Sequence, residues 1–166
     1  MTAADRSRAA QAYRDLAPPV LGSLRALRVT EPDDVLGEVF VQVVRDIGRF
    51  RGDEAALRRW IFSIAHNRVM DSHRRTRRRP PPVLRPGLEP GAVSAPDEPF
   101  DDELVEALAA LTFDQREVVV LRFVADLSLE AVARITNRTV GAVKALQHRA
   151  IERLLLALST ERAVGP

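Results

Sequence analysis

From Val35 onward, the apolar residues Val35, Leu36, Val39, Phe40, Val43, Val44 and Ile47 recur three and four positions apart, the repeat of a helix with one buried stripe. Pro32, Asp33 and Asp34 mark its start, because first-turn amides lack partners, tolerate proline and favour carboxylates, and Gly48 marks its end. Asp34, Glu38, Gln42 and Arg45 follow steps of four, four and three, so they line up as a polar edge that also fits an ordinary solvated face. A second helix is predicted over residues 55–76. It buries Trp60, Ile61, Ile64, Ala65 and Val69 and displays Ser63, His66, Asn67, Met70 and Arg74.

Further along, the periodic segments are shorter and well punctuated. Helices are predicted over 101–111, then from a capping box at Thr112 and Gln115 to Val124, then over 128–136 and 139–158, with Ser128 and Thr139 as N-caps. The turn at Asn137 and Arg138 joins a short helix to a longer one, the layout of a helix-turn-helix. In the last helix Val140, Val143, Ala150, Ile151, Leu154 and Leu155 point one way. Gly141, Lys144, Ala145, His148, Arg149 and Glu152 are left on the other, a small and basic face able to enter a major groove. A helical bundle with a solvated basic face gives the same pattern.

Seven of the 11 prolines lie between Pro80 and Pro99, where missing donors and fixed φ exclude helix and central strand alike. The chain therefore divides into an N-terminal domain over 5–79, a Pro-rich linker over 80–100 and a C-terminal four-helix domain over 101–160. With 46% hydrophobic and 5% aromatic residues the expected fold class is all-α, two small helical domains. A net charge of +2 says little about partners; its distribution says more. Between Arg58 and Arg79 eight arginines face one acid, Asp71, which is more than a helix end needs and suits a polyanion. The absence of cysteine excludes disulfides, zinc-thiolate sites and cysteine nucleophiles. No membrane span or signal peptide is evident, so the cytoplasm is the expected location.

Taken together, several segments resemble the extracytoplasmic-function class of sigma-70 family sigma factors. In the first half these are Asp33 to Phe40, Arg49-Phe50-Arg51-Gly52-Asp53 and Trp60 to Asn67 with the arginine run. In the second they are Gln115-Arg116-Glu117-Val118, Leu121-Arg122, Leu127 to Glu130, Val140 to Lys144 and His148-Arg149-Ala150. The resemblance implies a sigma-two and a sigma-four domain that bind core RNA polymerase at its beta-prime clamp and beta flap and direct it to promoter DNA. It implies polymerase docking through Asp34, Glu38, Val41 and Arg45, and minus-ten recognition through Ser63, His66, Asn67, Arg74 and Arg75. Minus-thirty-five recognition would fall to Arg138, Thr139, Lys144, Ala145, His148 and Arg149. Capture of a flipped base at the Asn67 face would begin strand opening. An anti-sigma factor is a further implied partner. Gly37, in place of a common Gln, and Ala145-Leu146-Gln147, in place of a common Ser-Arg-Leu, depart from the family pattern.

A LuxR-like regulator would share the C-terminal layout but leaves the first half unexplained. An enzymatic reading would use His66, Asp71 and His73, yet Asp71 points away from the two histidines and no third metal ligand is evident. The expectation is a protein that is not an enzyme and uses no cofactor, no metal and no small-molecule substrate. A scaffold binding only protein remains compatible with the motifs.

Overall fold

The computed structural model describes residues 1–78 and 102–164. Among them are seven α-helices, one 3-10 turn, one π-helical turn and no strand. The N-terminal half contains α1 (Ala3–Ala26), α2 (Pro32–Asp46), a 3-10 turn (Ile47–Arg49) and α3 (Glu54–Arg78). In the C-terminal half, α4 (Asp102–Ala109) and α5 (Phe113–Val119) lead to a π-helical turn (Val120–Val124), followed by α6 (Leu129–Thr136) and α7 (Val140–Val164). The linker predicted over 80–100 lies outside the described residues.

The stripe on α2 packs against α1, a helix that the pattern before Pro32 does not reveal. Pro18 and Pro19 lie inside α1. Each costs about 3 kcal/mol in a helix interior. Burial of Ala9, Ala12, Leu16, Ala17, Val20 and Leu24 on one face opposes that cost. Thr2 and Asp5 close the first turn: Thr2 Oγ1 accepts from the Asp5 amide at 3.1 Å, and the Thr2 amide donates to Asp5 Oδ2 at 2.9 Å. In α2, Pro32 takes its expected place at the helix start, and Leu36, Val39, Phe40 and Val43 are buried with Ile47. Val44, expected in that stripe, is instead 44% exposed. It lines an open hollow between α1 and α2 with Ala9, Tyr13 and Phe40.

The C-terminal punctuation matches its reading. Thr112 and Gln115 form the capping box, Ser128 Oγ accepts from the Ala131 amide at 3.1 Å, and Thr139 Oγ1 accepts from the Ala142 amide at 3.1 Å. Asn137 ends α6 in the left-handed region, φ 54°, a conformation that asparagine tolerates better than most residues. Val143 and Ala150 of α7 are fully buried, whereas Leu155, assigned to the same buried face, is 60% exposed, because at that level it is Leu154 that packs against Leu108 and Leu111. Among the described residues no helix is long and apolar enough to cross a membrane.

The two halves are in contact. One apolar cluster runs from Ala9 through Val69 and on through Val118, Val120, Val132 and Val143. The π-helical turn rests on α1, and α6 rests on α3.

Candidate nucleic-acid interface

The outer surface of α3 is built by the helix repeat. Ile61, Phe62, Ile64, Ala65 and Val69 turn inward, which leaves Asn67, Arg74 and Arg75 exposed. Asn67 can offer both a donor and an acceptor to a base edge, and the arginines can meet phosphates. Ser63 is half-buried and its hydroxyl donates to the Trp60 carbonyl at 2.6 Å. Trp60, expected in the core, is half-buried and stacks on Phe50, centroids 5.0 Å apart.

Beside this surface runs the polar edge of α2. Asp34, Glu38, Val41 and Arg45 are exposed, Val41 at 58%. Arg68 of α3 ties the two helices together: Nη2 donates to Gln42 Oε1 at 3.3 Å and Nη1 lies 3.7 Å from Glu38 Oε2. A cleft of about 250 Å³, lined by Asp34, Glu38, Arg68, Asp71 and Arg75 among others, joins the α2 edge to the α3 surface. Residues assigned from the sequence to polymerase and to DNA thus border one depression.

On α7, Lys144 and Arg149 are exposed and take part in no ion pair among the described residues. His148 is exposed and lies 3.2 Å from Glu152 one turn on. Thr139 caps the helix and Ala145 is half-buried. Leu146 packs against the core, and Gln147 Oε1 accepts from Arg122 Nε at 3.0 Å. The departures at 146 and 147 therefore serve packing, and position 146 does not share the exposed face of Lys144 and Arg149.

Two predicted DNA contacts are engaged elsewhere. His66 Nδ1 lies 2.5 Å from Glu117 Oε1, and Arg138 lies 2.8 Å from Asp114 and 3.5 Å from Glu117 Oε2. Glu117 is only 2% exposed. In the sequence it reads as one more helix charge. The available clue is its place before the apolar run Val118-Val119-Val120-Leu121, and its partners lie far away along the chain. The three residues of the enzymatic reading also diverge: His66 meets Glu117, Asp71 lies 3.7 Å from Arg74, and His73 sets its ring edge against Phe113 at 4.5 Å.

Arg58, otherwise one of the arginine run, donates from Nη1 to the Ala125 carbonyl at 2.9 Å, across the two halves. Arg116 donates to the Leu108 and Leu111 carbonyls at 2.9 and 3.0 Å; burial, and then the charge of Arg28, lower its pKa.

This arrangement defines an all-α protein with a basic surface on α3 and a helix-turn-helix whose second helix presents free cations, the class of multi-helix DNA-binding proteins. Comparison with known proteins narrows it. Residues 12–79 match the family model Sigma-70 region 2, and residues 107–154 match Sigma-70, region 4. The chain is 30% identical over 158 residues to RNA polymerase sigma factor CarQ of Myxococcus xanthus, covering 90% of each. It is 35% identical over 131 residues to ECF RNA polymerase sigma factor SigD of Mycobacterium tuberculosis (strain ATCC 25618 / H37Rv), covering 74% of this chain but 60% of SigD. The sigma factor RpoE of Bartonella quintana, solved with the anti-sigma factor NepR, shares the fold at TM-score 0.70 and 21% identity, over 90% of this chain and 95% of RpoE. The chain belongs to the extracytoplasmic-function class of the sigma-70 family.

Proposed function

We propose that this chain is an alternative sigma factor, which binds core RNA polymerase, directs it to specific promoters and promotes strand opening. The observation that carries the reading is the pairing of two exposed DNA-facing sets, Asn67 with Arg74 and Arg75 on α3 and Lys144 with Arg149 on α7, in a chain that contains both sigma-70 regions. A LuxR-like regulator would leave the first set unused. Docking on the beta-prime clamp is assigned to Asp34, Glu38, Val41 and Arg45, and the C-terminal half meets the beta flap. The linker over 80–100 would then separate the two domains along the enzyme. The polymerase supplies the chemistry, so this chain is not itself an enzyme, and it works in the cytoplasm. An anti-sigma factor is its proposed regulator.

Lys144→Ala with Arg149→Ala removes the two exposed cations nearest the start of α7 without touching the core. The double variant should retain core-polymerase binding and lose promoter-dependent initiation. Equal initiation by the variant and the parent would show that α7 does not read DNA in this way.

A further inference from the structure

Arg68 stands where the two assigned surfaces meet. On α3 it follows Asn67 and lies seven residues before Arg75, about two helical turns away, so Arg68 and Arg75 share a face and line the same cleft. Its guanidinium reaches α2, where Nη2 donates to Gln42 Oε1 at 3.3 Å and Nη1 lies 3.7 Å from Glu38 Oε2. Among the described residues it is the one arginine of the basic run that pairs with an acid of α2. Both members of the pair are partly open to solvent. Pairs of that kind hold weakly and are exchanged easily when another charge arrives.

The balance of charge in the cleft gives that exchange a consequence. Glu31, Asp34, Glu38 and Asp71 line it against Arg68 and Arg75, an excess of two carboxylates. Such an excess repels a phosphate backbone, and Arg68 is spent on offsetting part of it. Asp34 and Glu38 are also the acids assigned to polymerase. A partner that engages them covers negative charge beside the DNA surface and leaves the Arg68 guanidinium without its acid. Phosphates of DNA lying along Asn67, Arg74 and Arg75 are then its nearest acceptors.

We infer that Arg68, absent from both expected contact sets, is a phosphate contact made conditional on docking. Glu38 and Gln42 hold it in the free chain, and engagement of Glu38 by polymerase releases it to DNA on α3. The exchange rests on the proposed function, which supplies both partners. Coupling of this kind is reciprocal, so DNA that takes Arg68 also strengthens docking by the same factor.

The test is a double-mutant cycle on the full-length protein, read as affinity for a fluorescent DNA duplex over a series of KCl concentrations. In the free protein Glu38→Gln should tighten binding about two- to fivefold and steepen the salt slope by about one, the signature of one added phosphate contact. Loss of a negative charge tightens binding whatever Arg68 does, so the discriminating step is Glu38→Gln in an Arg68→Gln background, where the change in slope should vanish. Gln42→Ala alters no charge and should steepen the slope in the same direction; it carries the test if circular dichroism shows that Arg68→Gln is unfolded. With saturating core polymerase, Arg68→Gln should weaken DNA binding more than it does in the free protein. Equal gains from Glu38→Gln with and without Arg68, a parent-like slope in Gln42→Ala, or an Arg68→Gln loss that polymerase does not enlarge would overturn the exchange. Arg74→Ala with Arg75→Ala separates the two levels of failure. If that variant binds DNA more weakly than the parent but the cycle shows no coupling, the exchange alone is wrong. If it binds as the parent does, α3 does not meet DNA, and the promoter reading of α3 falls together with the exchange.

Discussion

Gly52 and Gly37 show opposite relations between a glycine and its surroundings. Gly52 sits at φ 147°, and a Cβ there would come within 2.8 Å of Ala56 Cβ and 3.1 Å of Phe50 Cζ. Gly52→Ala should cost about 1–3 kcal/mol in urea unfolding, from strain and clash together. Gly37 lies within α2, and a Cβ there would meet nothing within 4 Å. Gly37→Ala should stabilise by about 0.4–1 kcal/mol in the same assay, because the unfolded chain loses freedom and the helix gains propensity. A destabilised Gly37→Ala would mean that α2 does not continue through that position. His73 adds a pH dependence. Burial first, then Arg77, hold its pKa below the ordinary 6.5, with Arg116 adding to the effect and Glu117 opposing it. A lowered imidazole pKa means that the unfolded state takes up the proton first. The stability supplied by neutral His73 is therefore present above about pH 6.5 and is lost as pH falls through that value toward the lowered one. His73→Phe, which keeps an aromatic ring beside Phe113, should flatten that part of the stability profile between about pH 8 and pH 5.5. An unchanged slope would remove His73 as its source.

At the scale of elements, the proposed DNA contacts fall on α3 and α7. Asn67→Ala should lower promoter opening or minus-ten selectivity more than polymerase affinity, because Asn67 is exposed on α3 and absent from the α2 edge. Permanganate footprinting of the melted strand and a core-binding assay separate the two effects; equal losses in both would mean that Asn67 belongs to the docking surface. The elements themselves differ in how legible they were. Helix α2 could be read because its stripe keeps the helical period and its start carries Pro32, Asp33 and Asp34, and α6 and α7 because Ser128 and Thr139 are caps with a local hydrogen-bonding reason. Helix α1 is not among the elements expected from the sequence; it holds Pro18 and Pro19 in its interior, where tertiary burial overrides local propensity. The π-helical turn carries no sequence period of its own. Asn67, Lys144 and Arg149 could be placed from spacing because exposure follows the helix repeat. The engagement of His66 and Arg138 by Glu117 could not, since it depends on how two separately periodic halves meet.

Across the whole molecule, one apolar cluster runs through both halves of the chain. The π-helical turn packs on α1 and α6 packs on α3, which carries the cluster from one half into the other. The outer surfaces of α3 and α7 are left exposed around it. The proposed function is to give core polymerase its choice of promoter. The direct test is run-off transcription with purified core RNA polymerase and fragmented genomic DNA from the source organism, with and without the protein. Discrete start sites should appear only when the protein is added and disappear with Lys144→Ala plus Arg149→Ala. Transcripts that are the same with and without the protein, on every template, would contradict it.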